Sequence, residues 1–233
     1  MGWIIRDGDC RDELLQLDPE TVQLIFTSPP YAQEKSYEQG LDYNGLQALM
    51  GGVALNAFPA VRPGGFCVVN FGETTKYNPR TMCQLYTTVF SAAGWLMHSR
   101  RIWAKMFARC SLTGLNNIHT IPVAEYEHIY TFRKPPNDRE IIRSKLSYHA
   151  IWDAKGTAGY SDHPAPFPPD LAAKAIEVWT DPGDLVVDPF NGVGSTGVAC
   201  VQMQREYIGI ELNPKWAEDS RQRLGQAETK LLV

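Results

Sequence analysis

Short apolar runs alternate with amphipathic stretches along the 233 residues of the chain. Runs such as 22–28 and 66–72 are mostly apolar, which is typical of strands covered on both faces of a sheet. Start signals open two of the amphipathic stretches, at Asn78-Pro79 and Asn213-Pro214, because asparagine caps a helix and proline fits its first turn. Strands that alternate with helices predict an α/β fold, a mostly parallel sheet with helices on both faces.

The pattern predicts seven strands and six helices. The strands are expected over 3–9, 22–28, 66–72, 95–104, 125–134, within 181–190, and 205–212. The helices are expected over about 10–17, 45–61, 79–93, 169–179, 195–203 and from Pro214 onward. Residues 135–168 are rich in proline, glycine, serine and charge and predict a loop-dominated insertion in one domain spanning 1–233.

A glycine-rich loop joins a predicted strand to a predicted helix near the carboxyl end of the chain. Gly192, Gly194 and Gly197 fit the G-x-G-x-x-G pattern, and Glu211 lies at the end of the next predicted strand. This spacing is typical of dinucleotide-binding loops, in which the acid binds a ribose hydroxyl. The alternative is a tight strand-to-helix turn with no ligand.

Asp188 favours a positively charged ligand at this loop. Its carboxylate comes just before the glycines, where it would repel a pyrophosphate lodged at the start of the helix. The amino group and sulfonium of S-adenosylmethionine would suit it, and Pro189-Phe190 could line the same pocket with a rigid apolar wall. An NAD-linked oxidoreductase is the competing interpretation of the loop.

The stretch Thr27-Ser28-Pro29-Pro30-Tyr31 follows the second predicted strand. Two consecutive prolines hold their carbonyl groups in fixed directions, and their nitrogens carry no hydrogen that needs a partner. They place a hydroxyl before a rigid segment and an aromatic ring after it. By itself the stretch could also be a stiff turn with a packed tyrosine.

Together, "TSPPY" and the later "DPFNGVGSTGVA" resemble the β-class DNA amino-methyltransferases, which use S-adenosyl-L-methionine. The resemblance extends to "RDGDCRDEL", "RPGGFCVVNFG", "EYEHIYTFRK", "HPAPFPPDLAAKAI" and "YIGIELNPKW", so it spans most of the chain. It implies a Rossmann-like methyltransferase fold, circularly arranged so that the catalytic half precedes the cofactor-binding half.

The resemblance implies that Ser28, Pro29, Pro30 and Tyr31 are catalytic. The exocyclic amine of a base is a poor nucleophile because its lone pair is delocalised into the ring, so it needs acceptors that draw it toward tetrahedral geometry. The Ser28 hydroxyl and the Pro29 carbonyl would accept from it, while Tyr31 would stack on a base flipped out of the duplex. The methyl group would pass directly to the nitrogen, without a covalent enzyme intermediate.

The resemblance also implies a cofactor site drawn from several segments. Its expected residues are Asp9, Thr27, Phe167, Pro168, Asp188, Pro189, Phe190, Asn191, Gly192, Gly194, Ser195, Thr196, Glu211, Leu212 and Asn213.

Serine at position 28 is more typical of cytosine-N4 enzymes, whereas aspartate there is typical of adenine-N6 enzymes. We therefore expect a site-specific DNA methyltransferase acting on cytosine N4, and adenine N6 is the alternative. Methylation of RNA or of a protein glutamine, and a catalytically silent DNA-binding module, are further alternatives.

Basic residues concentrate between His98 and Lys145, where nine lysines and arginines face four acids in a chain of net charge −4. Such a segment could contact a polyanion or could be a solvated face. We expect residues 135–162 to form a small target-recognition element on double-stranded DNA. Its candidate DNA-binding residues are Arg139, Arg143, Lys145 and His149, and Tyr148, Trp152 or Tyr160 could stack.

The five cysteines are scattered singly, which indicates reduced thiols in a cytosolic protein and argues against a zinc site. The chain has no apolar stretch of membrane-spanning length and no signal peptide at its start, so a cytoplasmic location without membrane contact is expected. A small recognition element suggests a short target or help from a second subunit, so a homodimer and a cognate restriction endonuclease are possible partners.

Overall fold

The structure, a computed structural model, describes residues 2–31, 40–72, 79–105, 126–136, 149–154 and 166–231. Its strands are β1 (Trp3–Asp7), β2 (Val22–Thr27), β3 (Val61–Phe71), β4 (Leu96–Ala104), β5 (Tyr126–Arg133), β6 (Ile151–Asp153), β7 (Leu185–Asp188) and β8 (Glu206–Glu211). Its helices are α1 (Cys10–Leu14), α2 (Tyr43–Ala60), α3 (Pro79–Ala92), α4 (Pro169–Trp179), α5 (Ser195–Gln202) and α6 (Pro214–Leu231).

The eight strands form one sheet in the order β1-β8-β7-β2-β3-β5-β4-β6. Strand β5 runs antiparallel to both of its neighbours, and the other neighbouring pairs are parallel. The predicted α/β architecture with a mostly parallel sheet is confirmed. The chain begins at one edge of the sheet with β1, crosses to its centre with β2 and β3, and later returns with β7 and β8 between β1 and β2, so segments far apart in sequence become neighbours.

Each face of the sheet carries its own hydrophobic core. Helices α1, α2 and α3 cover one face, and helices α4, α5 and α6 cover the other. The central residues of strand β2 show why this run is apolar: Ile25 points into the first core, while Leu24 and Phe26 point into the second. A strand buried on both sides has no solvent face and therefore no alternation of polar residues.

Strand β6 lies in the stretch that the sequence pattern indicated to be loop-dominated. It pairs in parallel with β4 and places Trp152, only 1% exposed, in the second core. This burial excludes the suggested stacking of Trp152 on a base. Three residues with one aromatic side chain carry too little pattern to reveal a strand in the sequence.

Three of the basic residues counted toward a polyanion contact have structural positions instead. Arg101, Arg133 and Lys134 are 5%, 4% and 8% exposed. The Arg101 guanidinium lies 5.1 Å from the ring centre of Trp152, and the Lys134 ammonium donates to the carbonyl of Val61 at 2.7 Å. The charge excess of this segment therefore overstates the basic surface it can offer to DNA.

None of the helices in the described part of the chain has the length and apolarity needed to cross a membrane. Cys10, Cys67, Cys83 and Cys200 are thiols and not disulfide-bonded, and the described residues contain no cluster of three or more histidine, cysteine, aspartate or glutamate side chains suited to a metal ion.

Candidate active site

The carboxyl ends of β2, β7, β8 and β1 meet at one edge of the sheet, and the two sequence motifs come together there. The amide of Gly8, after β1, donates to the carbonyl of Glu211 at 3.0 Å. Thr27, at the end of β2, donates its hydroxyl to a carboxylate oxygen of Asp188 at the end of β7, at 2.8 Å. Crevices beyond the carboxyl ends of parallel strands are where open α/β sheets bind ligands.

Asp188 joins the two motifs through a fully buried carboxylate. One oxygen accepts from the Thr27 hydroxyl and from the backbone amide of Phe190 at 3.0 Å, and the other accepts from the Thr196 hydroxyl at 2.6 Å. Burial raises the pKa of this carboxyl to about 6, against the opposing effect of the hydrogen bonds. The sequence predicted Asp188 at the cofactor loop, and the structure adds its hydrogen bond to Thr27, the residue that precedes the Ser-Pro-Pro-Tyr segment.

The glycine loop is shaped by left-handed backbone and by close packing on α6. Gly192 and Gly194 have φ angles of 54° and 79°, a region that residues with a side chain rarely adopt. A Cβ on Gly194 would lie 2.3 Å from the hydroxyl oxygen of Ser220. Asn191 is buried beside them and accepts from the Tyr207 hydroxyl at 2.8 Å, so its side chain braces the loop.

Glu211 lies at the carboxyl end of β8 and binds the loop by accepting hydrogen bonds from backbone amides. Its two carboxylate oxygens accept from Gly192 at 2.7 Å and from Asn213 at 2.9 Å. Burial raises the pKa of this carboxyl. Each carboxylate oxygen has two acceptor sites, so one backbone bond apiece leaves capacity for a ligand hydroxyl.

The remaining predicted cofactor residues lie along this edge of the sheet and differ in their exposure to solvent. The Asp9 carboxylate caps α1 and pairs with Arg11 at 2.6 Å, and the hydrogen bond from Arg11 holds the pKa of Asp9 below its usual value. Leu212 is 72% exposed, and the Asn213 side chain accepts from the amide of Lys215 to cap α6.

Four others complete the described set. Phe167 packs edge-on against Phe26 with ring centres 5.6 Å apart, and Pro168 is the N-cap residue of α4. Pro189 and Ser195 are buried at either side of the loop.

The Ser-Pro-Pro-Tyr segment leaves β2 with its two hydroxyl groups in contact. The oxygens of Ser28 and Tyr31 are 2.9 Å apart, and the Tyr31 hydroxyl donates to a carboxylate oxygen of Glu127 at 3.0 Å. Ser28 and Pro30 are half-buried, whereas Pro29 and Tyr31 are buried. Burial, followed by the charge of Glu127, raises the pKa of Tyr31 well above its usual value, so this phenol stays protonated.

Sequence reasoning missed three side chains of this site. Asn70 on β3 donates to Glu127 at 2.6 Å, and the ammonium of Lys105, which follows β4, lies 2.5 Å from the other carboxylate oxygen of Glu127. We refer to Ser28, Tyr31, Asn70, Lys105 and Glu127 as the Ser28 cluster. A signal was available for Asn70, the single polar residue in the run 66–71, but not for Glu127, whose strand already alternates polar and apolar residues.

Of the four predicted DNA-binding residues, the structure describes His149 alone. Arg139, Arg143 and Lys145 lie outside the described residues, as do Tyr148 and Tyr160. His149 is exposed just before β6, where its carbonyl accepts from Arg101 at 3.2 Å.

Known proteins resemble this chain in both sequence and fold. Residues 22–222 match the family described as DNA methylase, N6_N4_Mtase. The type II methyltransferase M.BglI of Bacillus subtilis is 28% identical, with 94% of this chain and 84% of that protein covered.

Two solved structures extend the likeness to the fold. TTHA0409 of Thermus thermophilus, solved with S-adenosyl-L-methionine, superposes with a TM-score of 0.76 at 25% identity, covering 97% of this chain and 94% of that one. The cytosine-N4-specific PvuII DNA methyltransferase superposes with a TM-score of 0.81 at 22% identity over 100% and 93% of the two chains, a likeness of fold. With its Ser-Pro-Pro-Tyr motif ahead of its glycine loop, the chain belongs to the DNA methylase family as a β-class DNA amino-methyltransferase.

Proposed function

We propose that the protein transfers the methyl group of S-adenosyl-L-methionine to the exocyclic N4 of a cytosine flipped out of double-stranded DNA. The observation that carries the proposal is the Thr27–Asp188–Thr196 bridge, which ties the Ser-Pro-Pro-Tyr segment to the glycine loop. A hydroxyl acceptor for an amine and a nucleoside-type pocket are thereby held at the same edge of the sheet.

The residues around the loop fit the cofactor. S-adenosyl-L-methionine supplies an electrophilic methyl group on a sulfonium when it is bound. Glu211 would hold the ribose hydroxyls, because its carboxylate is buried at the strand end with acceptor capacity to spare. The exposed Leu212 and half-buried Phe190 would flank the adenine, which would explain an apolar side chain left in water at this position.

The Ser-Pro-Pro-Tyr segment would prepare the target amine. Ser28 is half-buried and so within reach of a ligand, and the carbonyl of Pro29 points in a direction fixed by the proline that follows. Two acceptors on the amine hydrogens would draw the nitrogen lone pair out of the ring and toward the methyl group. Removing the base from the duplex would cost stacking energy that an aromatic side chain can offset. Tyr31 stays the prediction for that role, which would require its ring, 9% exposed in the first core, to be uncovered when the base enters.

Serine at position 28 supports cytosine N4 over adenine N6. The family described as N6_N4_Mtase accommodates both reactions, so adenine N6 is the second candidate. We infer that residues 135–162, carrying Arg139, Arg143 and Lys145, recognise the target sequence within the single domain 1–233. The type II relatives support a cognate restriction endonuclease and action in the cytoplasm, and a homodimer would supply further DNA contact.

A transfer assay with purified protein tests the proposal. Radiolabelled S-adenosyl-L-methionine and duplex DNA of mixed sequence are incubated with the wild type and with Ser28→Ala, and the label in DNA is counted. We expect transfer by the wild type and a loss of about 10²-fold in Ser28→Ala, because one hydrogen-bonding group on the reacting nitrogen is gone. Glu206→Gln, which changes a carboxylate that accepts from the Gly2 amide at the start of β8, serves as control. Wild-type-like transfer by Ser28→Ala would contradict the proposed role.

A further inference from the structure

We propose that Glu127 is a positioning residue that fixes the direction of the hydrogen bonds running through Tyr31 to Ser28, so that Ser28 meets the target amine as an acceptor. This inference rests on the proposed function, since it assigns a role in that same methyl transfer. Besides Ser28 and Tyr31, it concerns Asn70 on β3, Glu127 on β5 and Lys105, which follows β4.

The chain of hydrogen bonds begins at Glu127. Its oxygen nearest Lys105 is 2.5 Å from the ammonium, and its other oxygen receives the Asn70 amide at 2.6 Å and the Tyr31 hydroxyl at 3.0 Å. A carboxylate has no hydrogen to give, so every neighbour must donate to it. The Asn70 amide presents its nitrogen for this reason, since its oxygen would be repelled by the carboxylate.

Counting hydroxyl hydrogens gives the direction of the hydrogen bond between Tyr31 and Ser28. Tyr31 has one hydroxyl hydrogen, and Glu127 receives it. The Ser28 and Tyr31 oxygens are 2.9 Å apart, so the bond between them requires that Ser28 donates and Tyr31 accepts. The Asn70 nitrogen, 3.4 Å from each of these oxygens, adds a second donor on the inner side. Ser28 therefore has its hydrogen turned inward.

A half-buried Ser28 with its hydrogen turned inward offers lone pairs outward. This is the state that a base amine requires, because the amine meets its partners with N–H groups. The opposite state would set the serine hydrogen against an amine hydrogen. Serine, unlike aspartate, can be either donor or acceptor, so a serine in this position needs a neighbour that decides between the two.

Glu127→Gln would reverse the chain with little change in shape. The Lys105 ammonium would attract the glutamine oxygen, which turns the glutamine nitrogen toward Asn70 and Tyr31. That nitrogen would donate to the Tyr31 oxygen, so the Tyr31 hydrogen would move to Ser28 and the Ser28 hydrogen would turn outward. Asn70 can accommodate the change by rotating its amide, since its oxygen has no hydrogen-bond partner among the described residues.

Tyr31→Phe in combination with Glu127→Gln gives the sharpest test, because phenylalanine breaks the chain between Glu127 and Ser28. Single-turnover transfer rates at saturating cofactor and DNA are measured for both single variants, the double variant and the Glu206→Gln control. We expect losses of about 10²-fold for Glu127→Gln and about 10-fold for Tyr31→Phe. The double variant should lose about 10-fold, so Tyr31→Phe partly rescues Glu127→Gln.

Multiplication of the two losses in the double variant, or a Glu127→Gln rate within twofold of the wild type, would overturn the proposal. Melting temperature and S-adenosylhomocysteine affinity are measured for every variant, and rates are compared at a temperature where all variants are folded and saturated with cofactor. If Glu127→Gln does not fold, Glu127→Asp carries the test: its acceptor-only carboxylate should keep the rate within about 10-fold, and a loss of about 10²-fold would overturn the proposal. Absence of transfer by the wild type refutes the proposed function instead, which separates the two failures.

Discussion

At the scale of single residues, two buried carboxylates organise the site by accepting hydrogen bonds from hydroxyl groups. Asp188 accepts from Thr27 and Thr196, and Glu127 accepts from Tyr31. Each carboxylate faces donors from segments that are distant in sequence. Removing either carboxylate would leave buried donors unpaired, so a substitution at Asp188 or Glu127 should disturb the arrangement of the side chains around it.

Asp188 should make stability depend on pH in a defined window. Its folded-state pKa of about 6 exceeds the value of 3.8 expected for an unfolded chain, so the folded state holds the proton more tightly. The stability that the protonated Asp188 contributes to the folded state is fully present below pH 3.8 and is lost as pH rises through about 6. Between about pH 4 and pH 6.5 the free energy of unfolding of the wild type should therefore fall relative to Asp188→Asn by about 2 kcal/mol.

Urea denaturation across this pH range measures the effect, with Asp170→Asn as a matched change of an exposed carboxyl in α4. Parallel curves for the wild type and Asp188→Asn would show that Asp188 does not titrate in this window in the folded state.

At the scale of elements, the strand-to-helix loop after β7 depends on contact with α6. Gly194 has a φ of 79°, and a Cβ there would lie 2.3 Å from the Ser220 oxygen and 2.9 Å from a Leu224 methyl. Gly183 has a similar φ of 85° but open space around it. The pair separates backbone strain from steric overlap.

Gly194→Ala should cost about 3 kcal/mol, and Gly183→Ala about 1 kcal/mol, in the free energy of unfolding. Both variants incur the cost of a left-handed alanine, and Gly194→Ala adds overlap with α6. Urea denaturation gives the two values, and Gly194→Ala should also weaken S-adenosylhomocysteine binding in calorimetry. Equal costs for the two variants would mean that the loop moves away from α6 without penalty.

Elements with a strong local pattern could be predicted from the sequence, and others could not. Helix α4 (Pro169–Trp179) has the predicted bounds, and β2 ends within one residue of its expected end. Strand β3 begins at Val61, five residues before its predicted start, because Val61 pairs with Val22 of β2 and Gly64 and Gly65 bond to Lys134 after β5. Pairing of this kind depends on a partner about 70 residues away, so no local pattern announces it.

At the scale of the whole molecule, the order of the strands in the sheet explains why the halves of the site can be so far apart in sequence. Strand β2 pairs with β3 on one side and β7 on the other, so the segment after residue 27 and the loop after residue 188 share one edge. The sequence predicted that these motifs meet, through the α/β pattern and the family resemblance. It could not predict the Ser28 cluster, because Asn70, Lys105 and Glu127 come from strands whose order follows from tertiary packing.

We propose that the site formed by the Ser-Pro-Pro-Tyr segment and the glycine loop methylates cytosine N4 in DNA. Mass spectrometry of nucleosides from the DNA of cells that express the wild type tests it most directly, with cells expressing Ser28→Ala as the control. We expect N4-methylcytosine in the wild-type sample and its loss in the control. N6-methyladenine in its place, or neither modified base, would show that the protein does not methylate cytosine N4.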